Sequence, residues 1–269
     1  MRGRVLIVAG SDSGGGAGIQ ADIKAVTALE GFAATAITAL TAQDTVTVHG
    51  VHPIPPDFIA RQMAVVLEDI GADAIKTGML GDAAVINAVA DVLSRKAGDV
   101  PLVLDPVMVA KGGARLLDPG AIEVLKARLL PLAFVITPNI PEAEALTGRA
   151  IVSLNDMEAA AQDLMGLGPS AVLIKGGHGT GAEVTDVLAD ADGIRHFSSP
   201  RLDSRHTHGT GCTLASAIAC GLAQGLGLAA ATARARAYVV RAIETAPGLG
   251  AGHGPLNHGH TVQPFKERN

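Results

Sequence analysis

One stretch decides the fold class: Val5-Leu-Ile-Val-Ala-Gly-Ser-Asp-Ser-Gly-Gly-Gly-Ala-Gly18. Its first five residues are apolar and form a run of the length of a buried strand, and the glycine-rich part that follows predicts a tight turn. A segment of helical period comes next, over about residues 17–29. Because a strand, a turn and a helix in this order make the first half of a βαβ unit, the sequence predicts an α/β fold.

The same alternation continues along the chain. Further strands are predicted at residues 33–40, 45–53, 74–77, 102–104, 134–136, 171–174, 183–188 and 194–197, the last two as an antiparallel pair. Helices are predicted over about residues 55–69, 83–95, 120–128, 155–165, 210–223 and 228–245. No repeat or linker divides the sequence, so we expect a single domain over residues 1–269, with a central, mainly parallel β-sheet flanked by helices on both faces. Residues from about 250 to 269 form a glycine- and histidine-rich tail.

The composition restricts the partners of the protein. The 21 basic and 26 acidic residues give a formal net charge of −5, and aromatic residues make up only 2%. This argues against a binder of nucleic acid or of anionic membranes, whose footprint is a basic surface. The two cysteines form no disulfide framework, the N-terminal apolar run is too short for a signal peptide, and no apolar stretch reaches about 18 residues. We expect a soluble, cytoplasmic protein that binds small molecules.

The glycine-rich segment 11–18 is a candidate binding loop. Such a loop presents bare backbone N–H groups and a helix N-terminus, and a ligand can approach it closely. The glycines do not give the G-x-G-x-x-G fingerprint of a Rossmann dinucleotide site, and no G-K-[ST] ending marks a Walker phosphate loop. A strand-to-helix turn without a ligand remains the alternative interpretation.

A second motif, His208-Gly-Thr-Gly-Cys-Thr213, precedes a long helix of small residues. Free N–H groups and the positive end of the helix dipole meet there, in an anion hole suited to charge that develops on a transferred phosphoryl group. The same dipole is expected to lower the pKa of the Cys212 thiol, which could then take a proton from an attacking hydroxyl group. The alternative is that Cys212 is a small buried hydrophobe, and for Cys220 that is the sole interpretation.

Polar residues follow three of the predicted strands, at Asp105-Pro106, Thr137-Pro-Asn-Ile-Pro-Glu142 and Lys175-Gly-Gly-His178. Strand ends of a parallel sheet line the ligand crevice, so these side chains are expected to converge. Separated carboxylates there suit Mg²⁺, and a lysine before paired glycines suits phosphate. Alternatively, Asn139 is a helix cap and Glu142 a first-turn acid, and Lys175 lies on the surface. The histidines at 253, 258 and 260 match no zinc pattern, which favours a flexible or packed tail.

Seven segments taken together resemble the hydroxymethylpyrimidine/phosphomethylpyrimidine kinases of thiamine biosynthesis, in the ribokinase-like superfamily. The resemblance runs from residue 5 to about residue 260. Its segments are 10–22, 40–43, 76–79, 105–111, 137–142, 175–178 and 208–213. It implies a ribokinase-like fold, usually dimeric. It also implies ATP- and Mg²⁺-dependent phosphorylation of 4-amino-5-hydroxymethyl-2-methylpyrimidine, and then of its monophosphate to the diphosphate.

The resemblance also implies roles for individual residues. Gln43 hydrogen-bonds the pyrimidine, and the substrate pocket comprises Gly10, Ala17, Asp22, Gln43, Met79 and Val107. Nucleotide-side positions are Thr137, Asn139, Lys175 and His178, while Asp105 and Glu142 lie near the magnesium ion. The catalytic group comprises Gly209, Thr210, Gly211 and Cys212. Cys212 stands where most sugar kinases of the superfamily, and the usual pyridoxal kinases, carry a catalytic aspartate.

Some positions depart from the family pattern, namely Gly112, Ala189, His206 and Gly259. By the resemblance, Ala189 and His206 fall on the nucleotide side, so these two departures affect the expected ATP contacts. A pyridoxal or pyridoxine kinase is the nearest alternative, since that ring also carries a hydroxymethyl group. A non-catalytic pyrimidine- or nucleotide-binding protein is an alternative from another class.

Overall fold

The computed structural model describes residues 2–110, 113–179 and 181–263. Nine strands form one sheet within these ranges. The strands are β1 (Arg4–Asp12), β2 (Phe32–Gln43), β3 (Val48–Pro53), β4 (Ala74–Thr77), β5 (Leu102–Leu104), β6 (Val135–Ile136), β7 (Val172–Ile174), β8 (Glu183–Asp190) and β9 (Gly193–Pro200). The helices are α1 (Gly18–Ala28), α2 (Pro56–Asp69), α3 (Ala83–Lys96), α4 (Ala121–Arg128), α5 (Ile140–Thr147), α6 (Leu154–Met165), α7 (Thr210–Ala223) and α8 (Leu228–Glu244).

The strand order is β3-β2-β1-β4-β5-β6-β7-β8-β9. The six strands from β2 to β7 in this order are parallel, while β3 is antiparallel to β2, and β8 is antiparallel to both β7 and β9. The predicted mainly parallel sheet is therefore confirmed. Because β2 and β4 lie on opposite sides of β1, the chain changes direction there, and a crevice opens at the strand ends beside such a switch point.

Helices cover both faces of the sheet, as the alternation of side chains in β1 requires. Leu6 and Val8 point to a core formed with α2 to α6. Val5, Ile7 and Ala9 point to a second core formed with α1, α7 and α8. The second core consists largely of small side chains on α7, which lets this helix lie close to the sheet.

Two local predictions need correction. Strand β3 begins at Val48 rather than at residue 45, because the Asp44 side chain accepts the N–H groups of Val46 and Thr47 and folds these residues into a turn. Residues Ile140–Thr147 form helix α5, which the sequence predicts only under the alternative interpretation of Asn139 and Glu142. The remaining predicted elements are present with ends shifted by a few residues.

The described part of the tail packs against the domain. His253 N–H donates to the Thr45 carbonyl over 2.8 Å, and the Gly254 carbonyl accepts the His208 N–H over 3.2 Å. A side chain on Gly252 would lie 2.1 Å from the Thr45 carbonyl oxygen, so this approach requires glycine. His258 is buried and its Nδ1 lies 3.1 Å from the Tyr238 hydroxyl. The departure from the family pattern at Gly112 falls outside the described residues. Among the residues that are described, no helix is long and apolar enough to cross a membrane.

Candidate active site

A cavity of about 740 Å³ opens at the carboxyl ends of the parallel strands, beside the switch point. Its volume is within the usual range for small-molecule sites. It is lined by every predicted site residue except Asp22 and Thr137. We distinguish two parts of its wall: the charged side, comprising Asp105, Glu142, Lys175 and the first turn of α7, and the Gln43 side, comprising Gly10, Asp12, Gln43, Met79, Val107 and His208.

On the charged side, Lys175 links two carboxylates. Its Nζ lies 2.8 Å from Asp105 Oδ1 and 4.0 Å from Glu142 Oε2. Burial opposes the charge of the lysine, but the two acids outweigh it and raise the pKa of Lys175, so the group is an ammonium at neutral pH. Thr137 is fully buried and donates to Asp105 Oδ1 over 3.2 Å. The predicted nucleotide contact of Thr137 is therefore not supported, because this residue positions Asp105 from behind the cavity wall.

Glu142 is both a capping residue of helix α5 and a carboxylate in the cavity wall. Its carboxylate accepts the N–H of Asn139 over 2.8 Å, and Asn139 Oδ1 accepts the N–H of Glu142 over 2.9 Å, which is a capping box at the start of α5. The same carboxylate faces Lys175 in the cavity. Burial raises its pKa to about 7, with Asp105 adding to the shift and Lys175 opposing it. Glu142 thus changes charge near neutral pH.

The first turn of α7 is held by a close contact between two loops. Gly209 precedes the helix with φ +81°, and a side chain there would lie 1.8 Å from the Gly16 carbonyl oxygen. Glycine is therefore required by both conformation and space. The N–H of Thr210 donates to the Thr207 carbonyl over 3.4 Å, and the N–H groups of Gly211 and Cys212 follow at the cavity wall in the first turn of α7. The predicted anion-binding position of this turn fits the geometry.

The expected lowering of the Cys212 pKa is wrong. Burial raises the pKa of the Cys212 thiol to about 11. Lys76 opposes this shift, whereas Asp22 and Asp105 increase it. Desolvation is thus the main cause of the shift, and the position of Cys212 at the start of a helix does not by itself produce a low thiol pKa. In the absence of a ligand the thiol is protonated at neutral pH.

Asp22 lies beneath the cavity rather than in its wall. Its two oxygens lie 3.0 and 2.9 Å from Lys76 Nζ, and Ser216 donates to Oδ1 over 2.7 Å. Both members of the pair are fully buried. Burial opposes the charge of Lys76, but Asp22 outweighs it and raises the lysine pKa, so the two form an ion pair. The predicted substrate contact of Asp22 is not supported, because its oxygens are taken up within the protein.

The glycine-rich loop also departs from the prediction. Asp12 accepts the N–H groups of Gly14, Gly16 and Ala17 over 2.8 to 3.0 Å. Burial opposes the charge of Asp12, but these bonds and a contact with His208 lower its pKa below the ordinary value. The loop amides thus hold the loop itself together, and Ala17 does not offer its N–H to a ligand. Gly10 and Ala17 still line the cavity.

Sequence reasoning missed a part of the cavity near β8, β9 and α8. Asp186 accepts the N–H of Gly176 over 2.7 Å and forms an ion pair with Arg236. Apolar side chains from the same region line the wall, at Val184, Leu202, Val239, Val240 and Ile243. Neither Ala189 nor His206 lines the cavity, so these two departures from the family pattern do not alter its wall.

Comparisons with known proteins identify the family of the chain. The family model described as phosphomethylpyrimidine kinase matches residues 12–257. The hydroxymethylpyrimidine/phosphomethylpyrimidine kinase of Bacillus subtilis is 46% identical, over 95% of this chain and 94% of that protein. The thiamine biosynthesis bifunctional protein ThiED of Geobacter sulfurreducens is 53% identical over 99% of this chain. This chain spans about half, 54%, of the length of that bifunctional relative.

Solved structures are similar over nearly the whole chain. An ADP complex of Bacillus subtilis pyridoxal kinase has a TM-score of 0.89 at 37% identity and covers 96% of this chain and 98% of its own. The phosphomethylpyrimidine kinase of Clostridium difficile 630 has a TM-score of 0.80 at 40% identity, covering 89% and 99%. The family model spans most of the chain and the relatives are far above 30% identical. The chain belongs to the phosphomethylpyrimidine kinase family.

Proposed function

We propose that the protein transfers the γ-phosphoryl group of ATP to the hydroxyl of 4-amino-5-hydroxymethyl-2-methylpyrimidine, and then phosphorylates the monophosphate to the diphosphate. One observation carries the proposal. The same cavity combines a charged side, with Lys175 and the start of α7, and the Gln43 side, which offers a neutral amide. Phosphates need the former and a heteroaromatic ring edge suits the latter.

The charged side has the groups that phosphoryl transfer needs. Such reactions require positioning and charge stabilisation more than covalent chemistry. Lys175 supplies a permanent ammonium, and the first N–H groups of α7 supply donors that need no rearrangement. Asn139 and His178 line the same cavity and complete the proposed nucleotide contacts.

Magnesium fits the residues present. Asp105 and Glu142 offer two carboxylates in one wall, and Mg²⁺ prefers oxygen ligands with an incomplete protein shell. The described part of the chain has no cluster of three or more His, Cys, Asp and Glu side chains arranged for a metal ion, so the remaining ligands would be phosphates and water. When bound, the ion neutralises charge on the phosphates. Asp105 and Glu142 would hold it, and Lys175 would keep their mutual repulsion low.

Cys212 is proposed as the group that takes the proton of the attacking hydroxyl. Because its thiol has a pKa of about 11, the thiolate fraction and therefore kcat should rise with pH above neutrality. Cys212→Ala should lower kcat by about 10²-fold or more, the range of a general base, and should remove this rise. Equal turnover in both proteins at saturating substrate would exclude the base role and leave the α7 amides as the catalytic element.

A pyridoxal kinase is the second candidate, favoured by the solved pyridoxal kinases at 35–37% identity. Relatives named for the pyrimidine reaction are more similar, at 46–49% identity over most of both chains, which favours the pyrimidine. The buried acids around Lys175 count against a non-catalytic binding protein. A homodimer and a cytoplasmic location stay predictions, and light scattering tests the first.

A coupled assay for ADP release tests the proposed function. The acceptors are the pyrimidine alcohol, its monophosphate and pyridoxal, each with ATP and Mg²⁺. We expect turnover with both pyrimidines and a lower kcat/KM with pyridoxal. A higher kcat/KM with pyridoxal would support the second candidate. ATP binding without turnover of any acceptor would support a binding protein.

A further inference from the structure

Four side chains form a connected network at the Gln43 side of the cavity. His208 Nε2 lies 3.0 Å from Asp12 Oδ2, and the carboxamide atom placed as Gln43 Nε2 lies 3.3 Å from the same nitrogen. The other carboxamide atom lies 3.4 Å from Thr41 Oγ1. The Gln43 backbone is fixed by Ser13, whose hydroxyl contacts its N–H and its carbonyl over 2.8 and 2.9 Å. The side chain is therefore the part of Gln43 whose orientation remains to be set.

Counting protons assigns that orientation. Asp12 is ionised and accepts, so His208 Nε2 must carry a hydrogen and donate it. The Thr41 hydroxyl has one hydrogen, which it donates to the Ser11 carbonyl over 2.9 Å, and it can only accept from Gln43. The one hydrogen on His208 Nε2 is shared between Asp12 Oδ2 at 3.0 Å and the Gln43 carboxamide at 3.3 Å, as a three-centre bond. An N–H attracts the carboxamide oxygen and repels its NH₂ group, so the placement of the two is reversed: the oxygen faces His208 and the NH₂ group faces Thr41. A carboxamide is assigned by its partners in this way.

We propose that Asp12 and His208 are positioning residues that fix the Gln43 carboxamide and thereby determine which aromatic alcohol the enzyme accepts. With one lone pair and one hydrogen used, the amide keeps one acceptor and one donor for a ligand, in a fixed order along the cavity wall. Only a ring edge with the complementary order can use both, as a ring nitrogen beside an exocyclic amino group does. The substrate named in this inference rests on the proposed function, whereas the hydrogen-bond network does not.

The network is built to be rigid. His208 is buried, and a side chain on Gly16 would lie 2.4 Å from its Cδ2, so the ring is packed against the glycine-rich loop. The backbone N–H of His208 donates to the Gly254 carbonyl. Asp12 in turn is fixed by the loop amides. His208, which directly precedes Gly209, therefore contacts three parts of the chain: the glycine-rich loop, the end of β2 and the tail.

The first test is a long-range ¹H–¹⁵N spectrum of the ligand-free, ¹⁵N-labelled protein, with the His208 signals identified by their loss in His208→Gln. We expect hydrogen on Nε2, and a shift of the Gln43 side-chain amide signals in His208→Leu. Hydrogen on Nδ1 alone, or unchanged Gln43 signals, would overturn the proposal. Because no ligand is present, this test holds even if the protein phosphorylates none of the acceptors.

The second test compares the effect of substitutions on KM for the pyrimidine alcohol and on KM for ATP. His208→Leu should raise KM for the pyrimidine alcohol by about tenfold or more, the effect of one hydrogen bond, and leave KM for ATP unchanged. His208→Gln, which keeps a donor of similar reach, should restore most of the affinity. His196→Leu is the matched control, since His196 also pairs with a carboxylate, Glu158, but outside the cavity. Equal increases in both KM values, or no rescue by glutamine, would contradict a positioning role.

Discussion

Lys76 and Lys175 each form a close pair with an aspartate, and the surroundings of the two pairs differ. Lys76 and Asp22 are both 0% exposed, and the acid is shared with Ser216. Both lysines border the cavity, but Lys175 is 14% exposed and has a second acid, Glu142, 4.0 Å from its Nζ. The same two residue types thus provide a closed ion pair in the core and an open one that a phosphate can enter. The difference lies in access and not in chemistry.

The largest expected effect comes from opening the closed pair. Lys76→Met leaves Asp22 as an uncompensated buried charge, so the free energy of unfolding should fall by about 3–5 kcal/mol. Urea denaturation measures this. The double variant Lys76→Met/Asp22→Asn removes the charge as well and should recover most of the loss. If the single and double variants were equally unstable, the ion pair would not be the source of the effect.

The open pair should respond in activity instead. Lys175→Met removes a donor to the transferred phosphoryl group, so kcat/KM for ATP should fall by about 10²-fold or more. The free energy of unfolding should fall by much less than in Lys76→Met, because Asp105 can be hydrated from the cavity. A loss of stability comparable to that of Lys76→Met, measured in the same urea titration, would remove the distinction between the pairs.

A matched pair of glycine substitutions sharpens the comparison. A Cβ on Gly78 would lie 3.0 Å from Lys76 Nζ and 3.1 Å from Ala9 Cβ, whereas one on Gly211 would lie 3.3 Å from Lys175 Nζ. Gly78→Ala should destabilise the fold by about 1–3 kcal/mol through overpacking. Gly211→Ala should leave stability unchanged and raise KM for ATP a few-fold, because Lys175 can move into the cavity. Thermal unfolding and kinetics of both variants decide this, and reversed outcomes would contradict it.

The last effect concerns the second acid of the open pair. Glu142 has a pKa of about 7, so it is a carboxylate above that pH and neutral below it. The Mg²⁺ concentration for half-maximal rate should therefore rise as the pH falls through neutrality. Glu142→Gln should raise it about tenfold, the loss of one charged ligand, and remove this pH dependence.

Asp105→Asn should likewise raise the Mg²⁺ requirement, and binding of the free pyrimidine, measured by titration, should be unchanged in both variants. An unaltered magnesium dependence in both would mean that these acids serve only to cap α5 and to hold Lys175.

The two pairs also show what the sequence could predict. The charged side followed from a general rule, because the ends of parallel strands converge, and this placed Asp105, Glu142 and Lys175 together. The contact between Asp22 and Lys76 could not be predicted from the sequence, because the two residues are 54 positions apart and nothing local indicates their contact. The family resemblance assigned Asp22 to the pocket, and its burial became visible only in three dimensions.

Local rules failed where two local effects compete. The helix dipole and desolvation act on Cys212 in opposite directions, and the sequence offers no measure of the second. The amides of the glycine-rich loop were expected to face a ligand, but Asp12, within the same loop, satisfies them. A carboxylate next to several glycines is the signal that would have indicated this arrangement.

The packing of the tail against His208 has a consequence for the order of synthesis. During translation the charged groups and the start of α7 emerge first, and the Gly254 carbonyl that holds His208 follows only after the whole of α8. A nascent or proteolysed chain that stops before Gly254 carries the phosphate-binding groups without a finished pocket for the alcohol. The proposed network thus implies that selectivity for the acceptor is acquired after the charged side of the cavity has been made.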